Sequence, residues 1–274
     1  MPELPEVETI AAILRNGAQE QPSLRGMVIA NAKLLWARSL VTPSEAEFER
    51  RLPGQAVEDI WRRGKYLTLK LSNDHLIFHL RMSGDLLVKR RDTPPAVHDR
   101  LLIDFTSGIR AAFNDTRKFG RIWLLKEPDV LFAALGPEPL DDNFRAEDLY
   151  IKLREHRRSL KPLLLDQSFL AGLGNIYTDE ALHKAGLHPL EISGKLTAEQ
   201  AERLWMSIRE VLQEGIRHNG ASIDWVYRGG NFQYHFRVYR RTGEPCLKCG
   251  SPIERIVLGQ RSTHFCPQCQ PLLP

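Results

Sequence analysis

Two pairs of cysteines near the end of the chain have the spacing of a metal site. Cys246 and Cys249 form one Cys-x2-Cys pair, and Cys266 and Cys269 form a second pair after sixteen intervening residues. Each pair can place two thiolates on one side of a metal, and two pairs complete a tetrahedron. The intervening residues read as a short β-hairpin, which favours zinc over redox-active iron. The sequence therefore predicts one structural zinc ion.

Arg261 falls at the tip of that predicted hairpin, where a long side chain can reach outward. A basic tip suits a phosphate contact, but a charge that only keeps the tail soluble would look the same in the sequence. Zinc ribbons occur in nucleic-acid binders, enzymes and interaction modules alike. The tail by itself therefore predicts a metal site and leaves its purpose open.

The N-terminus, Met-Pro-Glu-Leu-Pro-Glu-Val-Glu, has two readings. The prolines and the apolar residues that follow at helical spacing indicate a helix start, and the acids complement its dipole. That structural role would be sufficient. Alternatively, removal of Met1 exposes Pro2 as a secondary amine, and α-amines with pKa values of about 7.7–8.0 are partly neutral at pH 7. Attack on a sugar C1′ would give an iminium ion. Glu3 could stabilise this cation and transfer protons during the reaction.

Length and composition limit the classes of protein that could position these groups. A chain of 274 residues suggests two domains and a small appendage, and a hydrophobic fraction of 42% excludes wholesale disorder. The net charge of +4 decides little. No apolar run approaches the roughly 18 residues of a membrane span, and the acidic N-terminus does not resemble a signal peptide. We expect a cytoplasmic protein without membrane contact, in which disulfides are rare.

The first half of the chain reads as strands. Between Met27 and Leu125, period-two alternation and β-branched residues predict several short strands and hence a sandwich or flattened barrel. One short helix interrupts them, with Ser44 as its N-cap. The predicted strands include Val28 to Leu35, Tyr66 to Leu71, His75 to Leu80, Leu101 to Phe105 and Arg121 to Leu125.

The second half reads as helices. Residues 127–142 are rich in Pro, Gly and Asp and indicate a linker, after which the pattern becomes helical to about Asn219. The clearest helix runs from Thr197 to His218, where Thr197 and Gln200 have capping-box spacing and Gly220 gives the stop signal. The predicted order is a β domain, a linker, a helical domain and the zinc hairpin.

Eight segments form an ordered set of motifs along nearly the whole chain: PELPEVE at 2–8, RRGKYL at 62–67, HLRMSG at 79–84, HD at 98–99, DTRKFG at 115–120, LGPEPL at 135–140, GLGNIY at 172–177 and the cysteine tail. Together they resemble the formamidopyrimidine-DNA glycosylases. The resemblance implies an α+β multidomain fold. Its segments would be an N-terminal helix and β-sandwich at 1–126, a linker at 127–142, a helix–two-turns–helix domain at 143–238 and a zinc finger at 239–274.

The resemblance also implies an activity on DNA. Such an enzyme extrudes an oxidised purine, 8-oxoguanine or a formamidopyrimidine, because the reacting C1′ is shielded in stacked duplex. It breaks the glycosidic bond through a Schiff base on the N-terminal proline and then nicks the abasic strand by β,δ-elimination. The implied partner is double-stranded DNA that contains an oxidised purine or an abasic site. We expect a monomer with one structural Zn²⁺ that works in the bacterial cytosol or nucleoid.

The family's catalytic roles fall on matching positions of this sequence. Pro2 would be the nucleophile, Glu3 the general acid and base, and Glu6 a supporting carboxylate. Lys65 would be the β-hairpin lysine that contacts phosphate beside the lesion. Arg261 would complete the set by gripping a phosphate from the finger.

The remaining family positions are DNA contacts. Met82, Arg117 and Phe119 would fill the gap left by the flipped base, with Phe119 as a wedge and Arg117 bonded to the orphaned cytosine. The other predicted DNA contacts are His98, Lys161 and Asn175.

Lesion preference is the least determined feature. The segment 221–231 differs from the commoner family version of a loop that closes over the flipped base. Related enzymes for oxidised pyrimidines usually begin Pro-Glu-Gly-Pro-Glu and lack the full triad, so Leu4 and the triad favour purines, although residues 163–175 could serve either group. A non-catalytic DNA-binding homologue would be expected to lose Pro2 or Glu3, and both are present. A zinc-ribbon interaction module would leave the N-terminal motifs unexplained.

Overall fold

A computed structural model describes residues 1–18, 21–223 and 229–272. These residues form two compact units, the first built mainly on Met1–Ala133 and the second on Ala134–Ala221 and the chain from Gly230 onward. Among the helices of these ranges, none combines the length and the apolar character that a bilayer crossing needs.

Helix α1, Leu4–Asn16, begins the first unit as the proline and apolar pattern predicts. Its buried face carries Val7, Ile10 and Leu14, and Gly17 ends the helix with a φ of 80°. Arg15 ties the helix to the sheet, because its Nη1 donates to the carbonyl of Ile60 at 2.9 Å.

In the described residues of the first unit, nine strands form two sheets. The first sheet has the order β1-β7-β8-β6, and the second has the order β2-β9-β5-β4-β3. All pairings are antiparallel except β2 with β9. The strands are β1 Ile29–Leu34, β2 Leu40–Thr42, β3 Val57–Arg63, β4 Tyr66–Leu71, β5 His75–His79, β6 Gly84–Arg90, β7 Asp99–Phe105, β8 Ile109–Asp115 and β9 Arg121–Leu125.

One apolar core joins both sheets and α1, so the predicted sandwich is confirmed. Phe78 of β5 and Phe113 of β8 bring the two sheets together, with ring centroids 5.4 Å apart. Helix α2, Glu45–Arg51, lies between β2 and β3 in the chain. Its N-cap is Ser44, whose hydroxyl accepts the Glu47 N–H at 3.3 Å as expected.

The stretch expected to be a linker contains a short helix, α3, Asp129–Phe132. Phe132 is buried and packs edge-on against Trp61 and Tyr66, at centroid distances of 5.6 and 5.8 Å. Its aromatic side chain therefore belongs to the first unit, even though Pro and Gly surround it in the sequence.

The part of the second unit that the structure describes contains four α-helices: α4 Ala146–Arg154, α5 Leu160–Leu164, α6 Asn175–Ala185 and α7 Ala198–Arg217. The predicted capping box of α7 is confirmed, because Thr197 N–H donates to Gln200 Oε1 at 2.8 Å and Gln200 N–H to Thr197 Oγ1 at 3.2 Å. A Cβ on Gly215 would lie 2.4 Å from Tyr177 Cε1, so only glycine allows α6 and α7 to approach this closely.

The tail forms the predicted hairpin from β10, Glu254–Leu258, and β11, Arg261–Phe265. The turn does not include Arg261, which the sequence predicts at the tip of the hairpin. Gly259 and Gln260 form it alone, with φ values of 52° and 61°, and two successive positive φ angles are typical of a type I′ turn. Arg261 is therefore the first residue of β11, where it pairs with Leu258 and remains exposed.

Candidate nucleic-acid interface and zinc centre

The two N-terminal carboxylates are fixed by the start of α1. Glu3 is the N-cap residue, and its backbone N–H donates to Glu6 Oε2 at 2.7 Å. Glu3 and Glu6 are only 3% and 2% exposed. Pro2 is also buried and precedes this helix start directly. A nucleophile on Pro2 would thus have two acidic side chains held within a few residues of it.

Lys65 lies in the two-residue turn between β3 and β4. Arg63 pairs with Tyr66 across the turn, and Gly64 has a φ of 56°, a conformation that glycine adopts without steric cost. Lys65 is 5% exposed. Its positive charge acts on His79, the last residue of β5, so the two side chains are electrostatic neighbours.

His79 holds the loop that carries Met82. Burial, together with the positive charges of Arg81 and Lys65, lowers the pKa of His79 to about 3. The neutral ring accepts the Arg81 N–H on Nδ1 at 3.1 Å, and Arg81 has a φ of 55°. The residue before Met82 is therefore held in an uncommon backbone conformation by an unprotonated imidazole.

Acid should destabilise the first unit through His79. Its folded pKa of about 3 lies below the unfolded value of 6.5, so the unfolded chain binds the proton first. The contribution of neutral His79 to the free energy of unfolding is fully present above pH 6.5 and is lost as the pH falls towards 3. At a pH of about 4.5 the expected loss is about 2.5 kcal/mol. Urea unfolding at this pH and at neutral pH should show a smaller loss in His79→Asn than in the wild type.

The matched control is His75→Asn, at the other end of β5, where the ring is half-exposed and bonded to the Lys126 carbonyl. This variant removes an imidazole from the same strand and leaves the contact between His79 and Arg81 intact, so the acid-dependent loss assigned to His79 should remain. Equal pH dependence in His79→Asn and the wild type would contradict the assignment to His79.

A buried serine and aspartate join the two loops of the predicted gap-filling triad. Asp115 accepts the Gly120 N–H at 2.7 Å and the Arg117 N–H at 3.2 Å. Ser83 donates its hydroxyl to Asp115 and accepts the same Arg117 N–H at 3.0 Å. Because Ser83 follows Met82, these bonds fix the loop of Met82 and the loop of Arg117 and Phe119 against each other.

The side chains of this pair of loops face solvent. Phe119 is 49% exposed, Arg117 lies over its ring at 5.0 Å, and Met82 is half-buried. His98 joins the same surface, because its carbonyl accepts the Asp115 N–H at 2.9 Å. The structure therefore brings together four of the predicted DNA contacts, and an exposed aromatic beside a cation is suited to insertion between bases.

The four cysteines fit a tetrahedral zinc ion. Their sulfur atoms all lie within 4.8 Å of one another. Cys246 and Cys269 are 3.9 Å apart and Cys249 and Cys266 are 3.4 Å apart, whereas 2.3 Å zinc–sulfur bonds at tetrahedral angles give about 3.8 Å. The Lys248 N–H donates to Cys246 Sγ at 3.4 Å, which stabilises a thiolate. These residues hold one structural zinc ion, as the spacing predicts.

Hydrogen bonds to the Ser262 carbonyl and to the Asp179 carboxylate attach the finger to the helical part of its unit. The Ser262 oxygen accepts Lys161 Nζ at 2.6 Å and Asn175 Nδ2 at 3.0 Å. Asp179 of α6 accepts Lys161 Nζ at 2.6 Å and the His264 N–H at 2.9 Å. These contacts fix Arg261, next to Ser262, relative to Asn175 at the start of α6.

Lys161 does not match the role predicted for it. Its side chain is 0% exposed and paired with the equally enclosed carboxylate of Asp179. An ammonium group with two close acceptors and no solvent access is not available to a phosphate, because leaving the pair would strand a buried charge. Lys161 is placed as an anchor of the finger and not as a DNA contact.

Several residues with clear positions in this architecture were missed by the sequence reasoning. Ser83 and Asp115 lie inside recognised motifs but look like ordinary turn residues, and Asp179 and His264 carry no motif signal. At the two ends of the divergent segment 221–231, Ala221 and Asn231 form an antiparallel bridge. Residues 224–228 lie outside the described part of the chain.

Comparison with known proteins covers the whole chain. Models of the formamidopyrimidine-DNA glycosylase N-terminal domain, the formamidopyrimidine-DNA glycosylase H2TH domain and the zinc finger found in FPG and IleRS match residues 1–122, 135–226 and 243–272. The formamidopyrimidine-DNA glycosylase of Chloroflexus aurantiacus is 48% identical, with 98% of each chain covered. That of Chloroflexus aggregans is 46% identical, with both chains covered completely.

Solved structures of the same kind agree over the same length. MutM in complex with DNA containing carbocyclic 8-oxo-G is 36% identical with a TM-score of 0.90, covering 98% of this chain and 100% of that one. The Lactococcus lactis Fpg in complex with DNA containing an abasic site is 36% identical with a TM-score of 0.90, covering 98% and 99%. The chain therefore belongs to the formamidopyrimidine-DNA glycosylase family.

Proposed function

We propose that this protein is a base-excision-repair DNA glycosylase and abasic-site lyase that removes oxidised purines from duplex DNA. The observation that carries the proposal is the buried N-terminal arrangement of Pro2, Glu3 and Glu6 at the start of α1. A secondary amine beside a carboxylate has the groups that imine chemistry at a sugar requires. The relatives that share this chain's full length carry the corresponding name.

The reaction follows from these groups. The neutral Pro2 nitrogen bonds to C1′ while the C1′–N bond to the base breaks, and the base leaves with a proton supplied by an acid. The attached nitrogen then loses its own proton, and the C1′–O4′ bond breaks as O4′ is protonated, which opens the sugar ring and leaves an iminium ion at C1′. Glu3 is the group placed to move protons and to stabilise the resulting iminium cation. Loss of a C2′ proton then expels the 3′ phosphate, and loss of a C4′ proton expels the 5′ phosphate. Lys65 would neutralise a phosphate beside the reacting sugar.

The other predicted contacts bind and deform the duplex. Met82, Arg117 and Phe119 would occupy the space of the extruded nucleotide, which offsets part of the unstacking cost. Arg117 has the donors to pair with an orphaned cytosine. His98, Asn175 and Arg261 would hold phosphates. Lys161 acts in this scheme only through Ser262, as the enclosed ion pair indicates.

The segments divide these tasks. We assign catalysis to 1–126, a linker to 127–142, DNA binding to 143–238 and phosphate gripping to the finger at 239–274. Four cysteines complete the zinc tetrahedron and leave no open ligand position, so the ion supplies rigidity to the hairpin that carries Arg261. We propose a monomer that acts in the bacterial cytosol or nucleoid.

Borohydride trapping tests this function. Protein mixed with a duplex holding 8-oxoguanine opposite cytosine should give a covalent complex, because reduction converts the Pro2 iminium into a stable amine. An undamaged duplex of the same sequence is the control and should give none. Strong trapping with an oxidised pyrimidine and none with 8-oxoguanine would overturn the purine preference. Absence of trapping with either lesion and with an abasic duplex would overturn the enzyme itself.

A further inference from the structure

A second group of metal-ligating side chains lies in the helical unit, separate from the four cysteines. The carboxylate of Glu214 and the rings of His218 and His235 place their ligand atoms within 4.8 Å of one another. None of the three has a role in the proposed reaction. Glu214 and His218 are half-buried and His235 is exposed, so an ion from solvent can reach them.

Two fixed elements bring these residues together. Glu214 and His218 are four residues apart on the last turns of α7, so they share one helix face. His235 ends the 3₁₀ turn Phe232–His235. The Asn231 N–H donates to the His218 carbonyl at 2.8 Å, which attaches that turn to the helix end.

The two imidazoles lie against each other beside buried aromatic rings. The rings of His218 and His235 are 3.8 Å apart between centroids, at an angle of 27°. Phe232 stacks on Tyr177 of α6 at 5.2 Å, and both of these rings are buried. The two histidines therefore lie beside the packed core of the unit, and the backbone segments that carry them are held at a fixed separation.

We propose that Glu214, His218 and His235 form a second metal site, which binds a divalent transition ion of the zinc class. Two imidazoles and one carboxylate are the donor set of zinc sites with three protein ligands and an open position. Zinc bonds of 2.0–2.1 Å to nitrogen require ligand atoms roughly 3.3 Å apart at tetrahedral angles. Rotation of the exposed His235 side chain can supply the necessary approach.

The surroundings select the kind of ion. A cavity of about 650 Å³ is lined by Glu214 and His235 and also by Lys184, Arg237 and Lys248. One carboxylate among three cations is a poor site for Mg²⁺ or Ca²⁺, which require several oxygen ligands. Zinc, nickel and copper bind imidazole strongly enough to be retained in such a site.

The position of the site gives it a mechanical consequence. His218 precedes the segment 221–231 and His235 follows it, so one ion would link the chain on both sides of that segment. The link would add to the bridge between Ala221 and Asn231, which already closes the segment at its base. A bound ion would thus restrain the two ends of the segment, and it would use none of the cysteine ligands of the finger.

Calorimetric titration of Zn²⁺ into protein whose cysteine site is already filled tests the proposal. We expect a second equivalent to bind in the micromolar range and Mg²⁺ to give no heat. His235→Ala should weaken the second equivalent at least about tenfold, and so should the milder Glu214→Gln. Glu202→Gln, an exposed acid of the same helix, and His75→Asn, a histidine of the other unit, are matched controls that should bind like the wild type.

Cobalt distinguishes the two sites spectroscopically. Co²⁺ added to the zinc-loaded protein should give visible d–d bands without a sulfur charge-transfer band, because this site has no thiolate ligand. A sulfur band would show that cobalt enters the finger instead, and would overturn the proposal. A single zinc equivalent in the wild type, or a second equivalent unchanged in His235→Ala, would also overturn it. None of these measurements depends on DNA cleavage. The second metal site and the proposed enzymatic function are therefore tested independently.

Discussion

A chain with any residue joined to the Pro2 nitrogen should form no borohydride adduct and should excise no lesion at a measurable rate. In such a chain that nitrogen is an amide, whose lone pair is delocalised and cannot attack C1′. The loss should be close to complete, since the iminium ion cannot form. Because α1 begins after Pro2 and its capping contacts come from Glu3 and Glu6, the fold and DNA affinity should persist.

A cleavable N-terminal tag provides the matched pair. The tagged protein and the protein cleaved to leave Pro2 first differ only in that amine, and intact mass identifies each form. Glu3→Gln, which keeps the amine, should instead lower single-turnover excision by about 10²–10⁴-fold, the usual range for a general acid–base group. Full activity in a chain whose mass shows Met1 still attached would refute the amine mechanism.

Removal of zinc from the four cysteines should weaken binding to lesion DNA by at least about tenfold, through loss of the charge-assisted phosphate contact that we propose for Arg261. The hairpin has little apolar core apart from the metal, with Val238, Ile253, Cys246 and Cys266 as its buried cluster. Structural zinc sites commonly supply the folding energy of such small modules. The affinity for a duplex with a stable abasic analogue, measured before and after chelation, checks the effect.

Arg261→Ala with zinc retained is the control, because Arg261 is exposed and is not a ligand of the zinc ion. This variant should reproduce most of the loss in affinity while its zinc content stays constant. Zinc-stripped protein that binds lesion DNA normally and fails to cleave it would contradict a purely structural role for the ion. Chelation should weaken DNA binding equally in His235→Ala, which lacks one ligand of the proposed second site. An equal loss would show that the zinc ion of the finger is the one that matters for DNA binding.

The parts of the fold that could be predicted from sequence are those with local causes. The start of α1 follows from two prolines, the start of α7 from Thr197 and Gln200, and the finger from its cysteine spacing. Each signal spans a few residues, so no knowledge of the rest of the chain is needed. The alternation of residues 66–71 likewise identified β4 with its correct ends.

Contacts between distant residues could not be predicted in the same way. Lys161 has the charge of a phosphate ligand, but Asp179 and the Ser262 carbonyl enclose it only in the folded unit. His79 likewise becomes an uncharged acceptor only when β5 is buried in the sandwich. The spacing of Glu214 and His218 is visible in the sequence, but His235, the third ligand that we propose, comes from a turn that no local pattern places there.

The shared hydrogen bonds of Ser83 and Asp115 have a consequence for how this surface can change during evolution. The Arg117 N–H donates to both side chains, and the Ser83 hydroxyl also donates to Asp115. Loss of either residue should remove much of what the second contributes, so damage from the double substitution should be less than the sum of the single effects. Once one of the pair has mutated, the other is under weaker selection, and the two loops should diversify together and not one at a time.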